Sequence, residues 1–318
     1  MIPTTSLRSL RIATLRIRAH ARDALRLPRF AGSTLRGAFG HALFDVACVT
    51  GTRDCEPCAL RERCVVPYVF DTPQDADDSR AHGAPFAPHP FAFDVAFGRT
   101  RVRAGSPFTF GLTLFGRATD VAPTFIEALA RVGERGLTGD RATFTVSGVD
   151  ARTREGFVEV ARGAPLVLDR AAMRAAITHL EPEARQTPRL VVTLRTPLRL
   201  ASDGRLAAID SFHALMRATA RRAKALLSVH EGVDASFDDA LEAARSVRTV
   251  VRNLRRVHAQ RWSERQGRRM HLDGWLGRLE FEGDIGPCAE LIAFAASAGV
   301  GKSTAFGFGR MTFHWGDR

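Results

Sequence analysis

The chain has 318 residues, 45% of them hydrophobic, and carries 46 lysines and arginines against 34 acidic residues, a formal charge of +12. This length suits two domains with packed cores, and the arginine-dominated positive charge favours a nucleic-acid partner. The N-terminus lacks a secretory core and the longest apolar run, LIAFAASAGV, is too short to span a membrane. We therefore expect a soluble cytoplasmic protein.

The first half of the chain predicts the order strand, helix, strand, strand, helix, strand. Ser6 to Ala19 alternates apolar and basic residues, as a strand with one wet face does. A helix should start near Gly32 or Ser33, because Leu35, Phe39, Leu43 and Val46 recur at helical spacing. The remaining predicted elements are a polar mobile loop at 71–88, strands at 91–97 and 108–115, a helix at 122–135 and a strand at 142–150. This order is the split βαβ arrangement called ferredoxin-like.

The second half of the chain repeats the pattern. The predicted elements are a strand at 189–200, helices at 210–229 and 237–254, a hairpin of 256–262 with 270–281, a helix at 288–298 and a strand at 310–315. We therefore predict an α+β protein of two tandem ferredoxin-like (RRM-like) domains. The domains would cover residues 1–185 and 186–318, with a cysteine-rich insert at 48–66 in the first.

Four of the five cysteines lie in the single stretch CVTGTRDCEPCALRERC, at Cys48, Cys55, Cys58 and Cys64. A two-residue gap between cysteines lets both thiolates bind one metal ion, and four thiolates complete a tetrahedral zinc site. Zinc is favoured over an iron–sulfur cluster because nothing else in the sequence suggests redox chemistry. We expect a structural metal site that stabilises the insert.

The C-terminal segment GVGKSTAFGFGRM combines glycines with Lys302 and Arg310. It nearly fits the phosphate-binding loop of nucleotide hydrolases, but it follows a predicted helix and precedes a strand, which is the wrong context for that motif. The alternative is a glycine-rich loop that contacts a nucleic-acid backbone, with bare N–H groups that cradle phosphate oxygens. On this interpretation Gly301, Lys302, Ser303 and Arg310 contact the nucleic acid.

Two further stretches carry clustered positive charge. The predicted helix from Asp210 places Arg217, Arg221 and Lys224 on one side. The run RNLRRVHAQRWSERQGRR interleaves arginines with an aromatic residue, a pattern that suits backbone contacts and base stacking. Its candidate nucleic-acid-binding residues are Arg256, Arg261, Arg265, Arg268 and Arg269. A solvated basic face is the usual explanation of such charge, and the two adjacent clusters favour binding.

His41 lies on the first predicted helix, on the side away from the apolar stripe and near Gly37. A histidine titrates near neutral pH and can abstract a proton from a ribose hydroxyl. The absent side chain at Gly37 would leave room for a ligand beside it. An exposed helix histidine without a catalytic role is the alternative.

With these residues assembled, the chain resembles the CRISPR precursor-RNA-processing endoribonucleases of the RAMP superfamily. The resemblance rests on FAGSTLRGAFGHAL before the cysteine insert, APHPFAF after it, TPLRL with FHALMRATARRAKAL, RWSERQGRRMHLDGWLG, and GKSTAFGFGRM. It implies tandem ferredoxin-like domains that bind CRISPR repeat RNA, with a CRISPR effector complex as a further partner, and that cut the repeat without a metal ion. A general base on the first helix of relatives corresponds to His41.

The predicted reaction is internal attack by the RNA 2′-hydroxyl, with His41 as base and Lys302 as a stabiliser of charge on the phosphorane. One departure from the family pattern is Gly299, which stands where relatives often carry a histidine before the GK pair. A non-catalytic RNA-binding subunit of a CRISPR ribonucleoprotein is therefore the alternative function. A zinc-bearing DNA-binding regulator is a third class, but no helix-turn-helix spacing supports it.

Overall fold

The structure is a computed structural model that describes residues 7–71, 87–182, 188–202, 205–258, 260–263 and 267–316. The chain divides into two compact units. One, here the N-terminal unit, comprises Arg11–Thr178 with Val229–Glu231. The other, the C-terminal unit, comprises Met1–Leu10, His179–Ser228 and Gly232–Arg318. Among the described residues, no helix is long and apolar enough to cross a membrane.

The N-terminal unit is built on an antiparallel sheet. Its strands are β1 (Arg11–Ala21), β2 (Leu25–Leu27), β3 (Phe91–Asp94), β4 (Thr100–Val102), β5 (Pro107–Phe115), β6 (Phe144–Arg152), β7 (Phe157–Arg162), β8 (Val167–Leu168) and β9 (Thr178–His179). Its helices are α1 (Ala31–Ala47), α2 (Val65–Phe70), α3 (Ala122–Arg135) and α4 (Arg170–Ala175). The main sheet has the order β3-β5-β1-β6-β7-β8, and β2 pairs with β4. The inner order β3-β5-β1-β6, with α1 and α3 as the connecting helices, is the predicted ferredoxin-like topology.

The alternation of β1 explains why its apolar residues form the core. Ile17 pairs with Phe110 on β5 and with Val149 on β6, and all three side chains are buried. Phe39 of α1 is buried and stacks on Phe125 of α3 with ring centroids 5.3 Å apart. The helices thus pack together through aromatic side chains on their inward faces, and the opposite side of α1 is left to solvent.

The C-terminal unit contains the second sheet. Its strands are β10 (Arg189–Leu198), β11 (Ala201–Ser202), β12 (Arg205–Leu206), β13 (Arg248–Val257), β14 (Gln260–Ser263), β15 (Arg268–His271), β16 (Gly274–Glu282) and β17 (Met311–Gly316). Its helices are α5 (Phe212–Glu231), α6 (Asp238–Ser246) and α7 (Ala289–Ala298). The sheet order β13-β16-β10-β17 again gives the ferredoxin-like topology, and β11–β12 and β14–β15 are separate two-stranded ribbons.

One sequence-based prediction of an element is wrong in detail. The helix predicted at 237–254 ends at Ser246, and β13 begins at Arg248, because the β-branched run from Val247 to Val251 pairs with β16. The predicted hairpin of 256–262 with 270–281 is confirmed, since Arg256 and Val257 of β13 pair with Trp275 and Gly274 of β16, and the β14–β15 ribbon continues the same antiparallel pairing. Helix α1 starts at Ala31, next to the predicted start near Gly32 or Ser33, and its N-cap residue Phe30 makes no side-chain cap. The predicted loop at 71–88 lies mostly outside the described residues.

Candidate active site and nucleic-acid interface

The glycine-rich loop connects α7 to β17 and folds back on itself. The Val300 amide donates to the Gly309 carbonyl at 3.1 Å. Gly309 has φ +69°, and a Cβ there would lie 1.9 Å from the Val300 oxygen. Only glycine fits this crossing without displacing backbone. The loop therefore follows a helix and leads into a strand, as predicted for a segment that is not a nucleotide-hydrolase loop.

Several amides of this loop are used within the protein. Those of Lys302, Phe308 and Gly309 donate to the carbonyls of Arg199, Ser303 and Pro197 at 2.8, 3.3 and 2.9 Å. These three amides are therefore engaged in the fold, while the contacts predicted for Gly301 and Ser303, which are both half-buried, remain predictions. The bond to Arg199 fixes the backbone of Lys302 against the end of β10, while the Lys302 side chain is exposed. The loop thus presents the Lys302 cation at its surface.

Arg310 is buried, which argues against the predicted direct contact with nucleic acid. The residue is 6% exposed, and its guanidinium donates to the Ser297 carbonyl at 2.6 Å. Arg222 of α5 is also buried and donates to the Ala298 carbonyl at 3.5 Å. Both cations therefore bind the C-terminal end of α7, where the helix dipole is negative. Their role in this structure is to hold the start of the glycine-rich loop.

Arg261 connects the β14–β15 ribbon to the same loop. Its guanidinium lies 4.8 Å from the centre of the Phe306 ring and 3.7 Å from the Met270 sulfur. Burial lowers the pKa of Arg261. A cation on an aromatic face retains donors for a phosphate, so Arg261 and Lys302 supply charge to one region of the C-terminal unit.

The other predicted basic residues are distributed as follows. Arg217 and Arg221 of α5 are exposed, and Lys224 is half-buried. Arg256 donates to Asp273 at 2.7 Å. Arg265 lies outside the described residues, and of Arg268 and Arg269 only the strand positions on β15 are described. The exposed side of α5 therefore provides the clearest basic surface among the predicted residues.

Sequence reasoning missed Arg199, Asp273 and His258. The Arg199 carbonyl accepts from Lys302, and its guanidinium donates to the carbonyls of His271 and Asp273 at 3.3 Å each. His258 Nδ1 lies 3.0 Å from Asp273 Oδ2. Asp273, an acidic residue at the end of a stretch dominated by arginines, was the available signal for this cluster.

His41 occupies α1 of the N-terminal unit and is exposed, as its helical position predicts. Gly37, one turn earlier, has open space where a side chain would be, because a Cβ there meets nothing within 4 Å. Lys302 belongs to the C-terminal unit. The two predicted catalytic residues thus stand in separate units of the chain.

The four cysteines of the insert are half-buried and free of disulfides. Hydrogen bonds from the Thr50 hydroxyl and from the amides of Arg53, Gly51 and Thr50 lower the pKa of Cys48. Burial raises the pKa of Cys55, and the charges of Cys64, Asp71, Cys48 and Cys58 raise it further. In the part of the chain that the structure describes, no group of three or more His, Cys, Asp or Glu side chains is arranged closely enough to hold a metal ion.

The fold and its cationic loop together fit a nucleic-acid-binding protein. Residues 192–311 match the family model of the CRISPR-associated endoribonuclease Cas6. Residues 10–172, slightly more than half of the chain, match a second family model, AF_1859_N, described as an N-terminal domain. The first half of the chain thus belongs to the family of the AF_1859_N model, and the second half carries a CRISPR-associated endoribonuclease Cas6 domain. The first-half and second-half matches cover the two ferredoxin-like sheets in turn.

Solved structures resemble the whole described fold. A Cas6 product complex (TTHB231) superposes with a TM-score of 0.56 at 16% identity, covering 96% of this chain and 99% of that chain. Thermus thermophilus Cas6 (TTHB231) gives 0.54 at 14% identity over 96% and 99% of the two chains. A partial Cas6-RT-Cas1–Cas2 complex gives 0.54 at 12% identity over 96% of this chain and 46% of that chain. At these identities the likeness establishes the fold. No curated protein matches the chain.

Proposed function

We propose that this protein binds CRISPR repeat RNA and cleaves precursor CRISPR RNA by attack of the RNA's own 2′-hydroxyl, without a catalytic metal ion. The observation that carries the proposal is the endoribonuclease family match over residues 192–311, which includes the basic ribbon and the glycine-rich loop. The net charge of +12 and the exposed arginines of α5 support an RNA partner. A match to part of a Cas6-RT-Cas1–Cas2 complex supports a larger CRISPR assembly as a second partner.

In the proposed reaction a general base removes the 2′-OH proton, the 2′-oxygen attacks the adjacent phosphorus, and the 5′-oxygen leaves. The products are a 2′,3′-cyclic phosphate and a 5′-hydroxyl. His41 is the candidate base, because it is exposed on α1 beside the open space at Gly37. Lys302 is the candidate stabiliser of phosphorane charge, because its backbone is fixed by Arg199 while its side chain is exposed.

The test is cleavage of the CRISPR repeat RNA encoded with this gene, in excess EDTA. We expect a cut within the repeat and a cyclic phosphate at the new 3′ end. A His41→Ala variant should lose roughly 10²–10⁴-fold in rate, the usual contribution of a general base. Tight binding without any cut would instead support the alternative of a non-catalytic RNA-binding subunit. Gly299, which stands where the resembled family often carries a histidine, favours that alternative.

We also propose that Cys48, Cys55, Cys58 and Cys64 hold one structural zinc ion, with an iron–sulfur cluster as the alternative. Hydrogen bonds to the Cys48 sulfur favour the thiolate, the form that binds metals. Because the described side chains form no closed site, binding should rearrange the insert, as is common when metal binding is coupled to folding. The metal would stabilise residues 48–64 and take no part in RNA cleavage.

Elemental analysis of protein purified without chelator should find about one zinc per chain, as four thiolates imply. A Cys55→Ser, Cys58→Ser double variant should lose the metal. The control is Cys288→Ala, since that thiol is buried, donates to the Ala240 carbonyl at 3.2 Å and lies outside the insert. Iron together with visible absorbance would show that the group is an iron–sulfur cluster and not zinc. Protein that contains no metal would contradict the proposal.

A further inference from the structure

An exposed histidine and a nearly buried carboxylate form a pair in the C-terminal unit. His258 directly follows β13, and its Nδ1 lies 3.0 Å from Oδ2 of Asp273, the residue before β16. The His258 side chain is 70% exposed, whereas the Asp273 side chain is 13% exposed. The carboxylate therefore holds one edge of the imidazole, and the opposite edge, with Nε2, is directed away from it.

The carboxylate is itself held in place. Arg256 donates to the same Oδ2 at 2.7 Å, and the Arg199 guanidinium donates to the Asp273 carbonyl at 3.3 Å. Burial acts to raise the pKa of Asp273, but the hydrogen bonds and charges of Arg256 and His258 lower it overall. Asp273 is thus an ionised, oriented acceptor for the Nδ1 proton of His258.

The pair is connected to the glycine-rich loop through Arg199. The Arg199 carbonyl accepts from the Lys302 amide at 2.8 Å, and its guanidinium binds the backbone of Asp273 and His271. One residue therefore fixes both the backbone of Lys302 and the backbone that carries the Asp273 carboxylate. An isolated surface ion pair contributes little to stability and needs no such support.

We propose that His258 is a catalytic residue, the general acid that protonates the departing 5′-oxygen, and that Asp273 is the positioning residue that orients it. The proposal rests on the proposed RNA cleavage and deepens it. In the step, the bond between the 2′-oxygen and phosphorus forms and the bond between phosphorus and the 5′-oxygen breaks. The 2′-OH proton leaves to a general base, and the proton on His258 Nε2 passes to the 5′-oxygen. Asp273 holds the imidazole through Nδ1, which leaves Nε2 to act on the RNA.

The test uses two versions of the repeat RNA, one natural and one with a bridging 5′-sulfur at the scissile phosphate. A thiolate leaves without protonation, so a general acid is needed only for the natural RNA. His258→Ala should cut the natural RNA roughly 10²–10⁴-fold more slowly than the unmodified protein. It should cut the sulfur-containing RNA within a few-fold of the unmodified protein, and Asp273→Asn should show a smaller loss with the same rescue.

His314→Ala is the matched control, because His314 is an exposed histidine on β17, at the opposite edge of the same sheet from β13. It should cut both RNAs at the rate of the unmodified protein, and His258→Ala and His314→Ala should melt like the unmodified protein. Full activity of His258→Ala on the natural RNA, or an equal loss on both RNAs, would overturn the general-acid role of His258 and leave the proposed function intact. Failure of the unmodified protein to cut either RNA would overturn the proposed function and this inference with it.

Discussion

At the scale of single residues, two glycines stand in opposite surroundings and should respond oppositely to alanine. Gly37 lies inside α1 with open space around it, whereas Gly309 has φ +69° and lies against the Val300 carbonyl. Gly37→Ala should raise the free energy of unfolding by about 0.5–1 kcal/mol, because alanine is the better helix former. Gly309→Ala should lower it by at least about 1–2 kcal/mol from the left-handed backbone alone. Denaturant unfolding measures both.

The open space at Gly37 also bears on the proposed base. If RNA occupies that space beside His41, Gly37→Ala should slow cleavage even though it stabilises the fold. A variant that is more stable and equally active would mean that RNA does not approach α1 there. The comparison separates a loss of folding from a loss of substrate contact.

Glu280 predicts a specific dependence of stability on pH. Its side chain lies on β16 and accepts hydrogen bonds from Arg189 and, at 2.7 Å, from Arg278. The bond with Arg189, together with both arginine charges, lowers the pKa of Glu280 despite burial. A carboxyl whose pKa is lowered by folding stabilises the protein above its ordinary pKa of about 4.3, and this contribution disappears as the pH falls through the lowered value.

Glu280→Gln should therefore melt at a lower temperature than the unmodified protein at pH 7, and the gap should close as the pH falls from about 5 to 3. Glu134→Gln is the control, because its side chain is 62% exposed on α3. It should change the melting temperature little at any pH. A gap that stays constant down to pH 3 would show that the Glu280 charge contributes nothing to stability.

At the scale of secondary-structure elements, α5 should determine much of the salt dependence of RNA binding. Replacing Arg217 and Arg221 together by alanine should reduce the slope of log affinity against log salt by up to about 1.4, since each single-strand phosphate contact contributes about 0.7. Arg245→Ala on α6 is the control, because that exposed arginine is already paired with Glu242. An unchanged slope in the double variant would place the RNA on another surface.

Two helices show which secondary-structure elements the sequence alone can predict. Helix α3 covers Ala122–Arg135 and ends at Gly136, as its amphipathic spacing and terminal glycine predict. The stretch from 237 to 254 was assigned wrongly because its apolar spacing also fits a helix. The β-branched residues after Ser246 become a strand through pairing with β16, which lies more than twenty residues further along the chain. A local sequence pattern does not reveal which distant strand a segment will pair with.

The candidate site shows the same limit. The exposure of His41 and Lys302 followed from their local context, and their catalytic roles remain predictions. The burial of Arg310 did not follow, because it depends on how the end of α7 packs. The predicted hairpin of 256–262 with 270–281 already brings His258 near Asp273, but the contact between their side chains could not be read from the sequence. Residue type predicted the chemistry, and tertiary packing decided which residues are available for it.

At the scale of the whole molecule, two ferredoxin-like units in one chain match the architecture of the Cas6 structures over 96% of its length. The first unit carries the cysteine insert and His41, and the second carries the basic ribbon, the glycine-rich loop and the His258–Asp273 pair. We therefore expect an RNA endonuclease whose nucleophile is supplied by the RNA. It requires no two-metal centre to activate water.

The most direct measurement compares the repeat RNA with the same RNA carrying a single 2′-deoxy substitution at the scissile nucleotide. Internal attack predicts that the natural RNA is cut, in excess EDTA, and that the deoxy RNA is bound with similar affinity but not cut. Cutting of the deoxy RNA at the same bond would show that the nucleophile comes from elsewhere, and would contradict the central claim.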